Sequence, residues 1–155
     1  MEYDELMQGF AARFAVEGLE LEDGVSVLDI DGITVAFVAD THAETMTIVA
    51  DIGPQPPTAD GSFGALMLKA NYLFRATEGA TICMNPETDG YAVQQLFRLV
   101  DLDVDSLAAH IERLVNLSEK WNGIVNGYRE AEDSAAESRK QEAEFNPVAG
   151  GFLQV

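Results

Sequence analysis

Two histidines, one cysteine and a scatter of aspartates are the residues of this chain whose types invite chemistry. His42 falls in a polar turn and His110 in an apolar-periodic stretch. Neither has a carboxylate or second histidine at ligand spacing, and no His-Glu-x-x-His occurs, so both read as surface or helix-packing histidines. Cys83 sits in an apolar run with no flanking base to stabilise a thiolate, and reads as a small buried hydrophobe. Asp29 and Asp31 lie two apart in an extended stretch and would share a face, but no further ligand accompanies them. Asp23, Asp29, Asp31, Asp40 and Asp51 do not meet the calcium-loop spacing. Gly61-Ser62-Phe63-Gly64 is not followed by Lys-Ser or Lys-Thr, which a phosphate-cradling loop needs. The expectation is no catalytic residue, no metal site and no cofactor.

The charge balance points elsewhere. The chain has 155 residues, with 9 basic against 27 acidic side chains and a formal charge of −18. Residues 1–60 carry thirteen acids and a single base, Arg13. Such a surface repels polyanions, which argues against nucleic-acid binding and against docking on anionic lipid. It would solubilise the protein, and it would steer in a basic or polar partner. A lone cysteine excludes an intrachain disulfide and a cysteine-rich zinc site. The acidic start and the short apolar runs give neither a secretory leader nor a membrane span, so a reducing cytoplasmic setting is expected.

Hydrophobic periodicity defines the elements that must position any site. Tyr3, Leu6, Met7, Phe10, Ala11 and Phe14 recur at helical spacing, predicting a helix over 3–17 with Gly18 as its cap. Three strands follow. Asp31-Gly32 marks a tight hairpin, Ile33, Val35 and Phe37 alternate on its return, and Met46, Ile48, Ala50 and Ile52 alternate on the next strand. Pro54, Pro56 and Pro57 break the sheet. A second helix is predicted over about 62–77, with Phe63, Leu66, Met67, Ala70, Leu73, Phe74 and Thr77 along one side; Leu68 and Tyr72 are apolar off that stripe. A second hairpin turns at 85–90. A third helix over 106–128 carries Leu107, Ile111, Leu114, Val115, Ser118, Trp121 and Val125 inward. The fold class predicted is α+β: a twisted antiparallel sheet of about five strands with three helices, in the order α-β-β-β-α-β-β-α. Residues 1–128 would form a single domain, and 129–155 a polar helical extension with a flexible C-terminal tail.

Several stretches, in this order and spacing, resemble the class I type III secretion chaperones of the CesT/Tir-chaperone family. Leu6 to Phe14 with Gly18-Leu19 and Leu21 is similar to the family's opening helix and the step after it. Leu28-Asp29-Ile30-Asp31 with Ile33-Thr34-Val35 is similar to its first hairpin. "LMLKANYLF", Leu66 to Phe74, resembles its second helix, and Gly79-Ala80-Thr81-Ile82 the start of the following strand. Gln95 to Leu102, then Leu107 to Trp121 ending in Ser118-Glu119-Lys120-Trp121, parallels the last strand and closing helix. The likeness covers about residues 3–125. The proline-rich loop, the residues after Tyr128 and the polar pair Gln94-Gln95 depart from it. The resemblance implies a non-enzymatic homodimer of the bacterial cytoplasm. Such a protein binds the N-terminal segment of a secreted effector, keeps it extended and helps deliver it for secretion.

Such a segment would lie in apolar grooves and add a strand to an exposed sheet edge. The candidate groove residues are Phe14, Leu21, Val35, Phe37, Met46 and Ile48, each of which also suits a plain core position. The candidate dimer residues are Leu68, Tyr72, Cys83 and Phe97. Two rivals remain at this level: a non-catalytic adaptor for a folded regulatory partner, and a small-ligand-binding α+β domain, which would need a convergent polar pocket.

Overall fold

The computed structural model describes residues 1–56 and 61–145. The chain order is α1 (Tyr3–Phe14), β1 (Val25–Ile30), β2 (Ile33–Asp40), β3 (Thr45–Pro54), α2 (Gly61–Ala70), a 3-10 turn at Tyr72–Phe74, β4 (Thr81–Met84), β5 (Gly90–Arg98), a 3-10 turn at Leu99–Asp101, and α3 (Val104–Phe145). All strand pairs are antiparallel, and the spatial order is β1-β2-β3-β5-β4. This is the α+β architecture expected from the two periodicities. Pro57 and the expected tail, Asn146–Val155, lie outside the described residues.

Alternation along the strands sends one side chain set toward α3 and the other away from it. Val35, Phe37, Met46, Ile48, Ala50, Ile52, Ile82, Tyr91 and Val93 form the apolar face and are buried. Against it lie Leu107, Ile111, Leu114, Val115, Trp121 and Val125 of α3, the predicted stripe, also buried. α1 closes the β1–β2 end with Tyr3, Leu6, Met7 and Phe10. Its Tyr3 hydroxyl sits 2.6 Å from Ser26 Oγ of β1, a buried polar contact that fixes where α1 crosses the sheet.

α3 is also fastened by side-chain donors aimed at backbone carbonyls. Ser118 Oγ donates to the Asp51 carbonyl and Asn122 Nδ2 to that of Ile52, at 2.6 Å in the latter case. Trp121 Nε1 donates to Ala76 O at 3.2 Å, Arg113 to Glu78 O at 2.7 Å, and Arg129 to Pro54 O at 3.1 Å. These carbonyls lie at the irregular end of β3 and in the segment before β4. The helix starts on a reciprocal cap: Ser106 N–H donates to Asp103 Oδ1 and Asp103 N–H to Ser106 Oγ. These bonds favour the charged Asp103 carboxylate and hold it below the usual carboxylate range.

Several boundaries differ from the predicted ones. α1 stops at Phe14, because Ala15 turns left-handed at φ 53° and returns its N–H to Ala11 O; Gly18 is not the cap. α2 ends at Ala70 rather than running to 77. Asn71 leaves the helix to clasp the sheet, and Leu73 and Phe74 both take positive φ, 57° and 54°. α3 starts at Val104 and continues without interruption to Phe145, 42 residues in all. The Asp31-Gly32 hairpin is as predicted: both residues have positive φ, as a type I′ turn demands.

His110 stacks on Phe97, ring centroids 4.4 Å apart. Burial first, and then the Arg113 cation, push its pKa below the ordinary value. The folded state therefore prefers the neutral ring. As the pH falls below about 6.5 the unfolded chain takes up that proton first, and stability is lost until the folded-state value is passed. His110→Phe should remove this component: thermal melts of wild type and variant should diverge below about pH 6.5 and run parallel above it.

Candidate functional site

The sheet has two edges, and they are not equivalent. On β4 the Asn71 amide takes the place of a missing strand: Ile82 N–H donates to Asn71 Oδ1 at 2.8 Å, and Asn71 Nδ2 donates to Ile82 O at 3.1 Å. The middle of that edge is closed. On β1, Ala39 N–H donates to Gly24 O at 2.8 Å, which sets the alternation: residues 26, 28 and 30 exchange bonds with β2, and 25, 27 and 29 face outward. Val25 is satisfied by a two-bond bridge to Glu22. The N–H and C=O groups of Val27 and Asp29 are left on the open edge.

An apolar groove of about 670 Å³ runs beside that edge. Leu28 and Ile30, the β1 side chains on the α3 side, form its floor. Phe10, Phe14 and Val16 wall one side, and Ala108, Ile111 and Val115 of α3 the other. Phe14 is 48% exposed and packs on Phe10 at 4.9 Å between ring centroids. The groove exists because α1 ends at Phe14 and α3 packs chiefly on β3 and β5, leaving the edge strand's inner face partly covered. Asp29, Asp31, Asp105 and Glu112 stand around it.

Of the six predicted groove residues, Phe14 lines this groove. Leu21 is half-buried in the segment before β1. Val35, Phe37, Met46 and Ile48 have no exposed surface at all. They belong to the core, because β2 and β3 are interior strands whose apolar face is covered by α3 and α1. The floor residues Leu28 and Ile30 were missed as groove candidates; their alternation was visible, but not the fact that β1 is an edge strand.

The predicted dimer residues divide in the same way. Leu68 and Tyr72 project to solvent, 74% and 77% exposed. Cys83 is half-buried on the sheet face turned away from α3, beside Ala92. Burial, and then the Asp51 carboxylate, push its thiol pKa up, which suits an inert thiol. Phe97 turns the other way, toward His110 on α3, so strand alternation gives the outward position to Leu96, 64% exposed. Phe74 reaches the same outer face, where it lines a shallow depression with Leu96, Thr47, Thr81 and Gln94.

A second, polar depression of about 500 Å³ lies between the start of β2, the end of β3 and α3, lined by Asp31, Thr34, Asp51, Ser118, Glu119 and Asn122 among others. Burial pushes Asp51 above the usual carboxylate range. Ser118 and Asn122 direct their donors to backbone carbonyls, and among the described residues no histidine, cysteine, lysine or arginine lines the site. Among the described residues no group of three or more His, Cys, Asp or Glu is arranged to hold a metal, and no helix is long and apolar enough to cross a membrane.

Comparison with known proteins bears on the whole arrangement. A Chlamydia pneumoniae protein designated CPj0713/CpB0740 is 27% identical over 121 residues, covering 76% of this chain and 92% of that protein. Among solved structures, a chain of the ExsC–ExsE complex superposes with a TM-score of 0.69 at 15% identity, covering 79% of this chain and 92% of that one. A chain of the HopA1–SchA chaperone–effector complex gives 0.63 at 19% identity, covering 78% and 93%. The Yersinia pestis type III secretion chaperone SycH, in complex with a fragment of YscM2, gives 0.59 at 17% identity, covering 76% and 97%. These structures share the fold. The Tir chaperone protein (CesT) family matches residues 5–122, and the chain belongs to that family.

Proposed function

We propose that this protein is a non-catalytic type III secretion chaperone of the bacterial cytoplasm. It binds the N-terminal region of a secreted effector, holds that segment extended, and keeps it from aggregating until secretion. The observation that carries this reading is the apolar groove lying alongside the one unclasped edge of the sheet. A segment hydrogen-bonded to Val27 and Asp29 would send every second side chain over Leu28 and Ile30. Main-chain bonds tolerate varied client sequence, and the groove takes the apolar anchors that would otherwise drive aggregation. The acidic surface keeps the loaded complex soluble.

The protein acts as a homodimer in this account. Leu68, Tyr72, Leu73, Phe74 and Leu96 are large apolar side chains more than half exposed. Leu73 and Phe74 are held there in a left-handed backbone that costs roughly 1–2 kcal/mol per residue. A second copy covering them would offset that cost and bury the outer sheet face. Neither nucleic acid nor membrane is a partner.

The client reading is tested by co-purification from the native cell. The N-terminal region of the bound protein should resist protease only in the complex, and Phe14→Glu, a change at a half-exposed wall position, should abolish that protection while leaving the circular dichroism unchanged. Protection that persists in Phe14→Glu would contradict the reading. The dimer is tested separately: Leu68→Asp or Tyr72→Asp should shift sedimentation from dimer to monomer, and an unchanged dimer in both would count against this surface.

A further inference from the structure

Resting on that client reading, we infer that the groove selects a basic extended segment, apolar at every second residue and carrying Lys or Arg between, which adds to β1 with its cations beside Asp29 and Asp31. The apolar floor and the open edge set the first half of this pattern. The second half comes from the rim.

A strand added at Val27 and Asp29 has two faces. One faces Leu28 and Ile30 inside the groove. The other lies beside the Val27 and Asp29 side chains on the outer surface, where a directly opposed cation would pair with Asp29. Asp31 follows at the hairpin tip, two residues further along the same edge. Among the described residues no lysine or arginine lines the groove. The nearby cation, Arg13, is engaged with Asp105 at 3.6 Å; Asp29 Oδ1 accepts the Gly32 N–H at 3.0 Å, and among the described residues Asp29 and Asp31 have no ion-pair partner.

Other occupants fit less well. A helix would leave the Val27 and Asp29 backbone groups unpaired. A second copy would bring acid against acid in a chain of charge −18. The chain's own residues 146–155 contain no lysine or arginine. Fully extended they span about 35 Å, whereas α3 carries Phe145 roughly 44 Å beyond Asn116 at the groove's α3 wall.

The test uses synthetic peptides of about ten residues, with Val and Leu at alternate positions and Lys, Gln or Glu between. They are titrated into the wild type, into Phe14→Glu, and into an Asp29→Asn/Asp31→Asn double variant, at low and near-physiological salt. The Lys peptide should bind wild type roughly tenfold tighter than the Gln peptide, with the Glu peptide weakest. That preference should shrink as salt rises and fall to about threefold or less in the double variant, while Phe14→Glu weakens all three. Equal binding of Lys and Gln peptides that is still lost in Phe14→Glu would overturn the charge selection and leave the groove as the client site. Binding of no peptide, or binding indifferent to Phe14→Glu, would overturn both.

Discussion

The packing of α3 across one face of the sheet is the constraint on which the rest of the molecule depends. An antiparallel sheet this small cannot bury both faces, so one helix must cover the apolar one. α3 does so with a stripe running from Leu107 to Val125. Its polar donors tie the ends of the strands, where the sheet ladder runs out. A single helix cannot cover five strands evenly. It leaves β1 partly uncovered on the inside, where the groove lies, and leaves much of the opposite face of the sheet open, including Leu96.

The two sheet edges show how this fold controls strand pairing. An exposed edge invites pairing with any chain. On β4 the Asn71 amide occupies the middle of the edge with two bonds, and α2 is cut short to place it there. On β1 only the first outward residue, Val25, is satisfied locally. The protein thus blocks one edge and leaves the other open beside an apolar trough. In the proposed function this confines pairing to the place where side chains can also be read.

Much of the fold was legible in the sequence because its signals are redundant. The Asp31-Gly32 turn, the period-two strands and the α3 stripe each predict the same neighbours. The helix ends were less legible. "LMLKANYLF" is made largely of good helix formers, and nothing local says that Asn71 is needed at Ile82, 11 residues away; the tertiary bond ends the helix. The candidate site was legible only in part. Alternation shows that Val35, Phe37, Met46 and Ile48 share a face, but it cannot say whether that face is covered. Edge position decides, and edge position follows from the order β1-β2-β3-β5-β4, which only the assembled sheet reveals. The same limit hid Leu28 and Ile30. Phe14 was found because the end of an amphipathic helix stripe is where packing runs out.

The central claim is that a client adds to β1 at Val27 and Asp29. Residue-resolved amide hydrogen exchange on the free protein and on its client complex tests it directly. The account predicts fast exchange at Val27 and Asp29 in the free protein and strong slowing on binding, with the Ile82 amide, held by Asn71, slow in both states. Unchanged exchange along β1, with new protection elsewhere in the molecule, would contradict it.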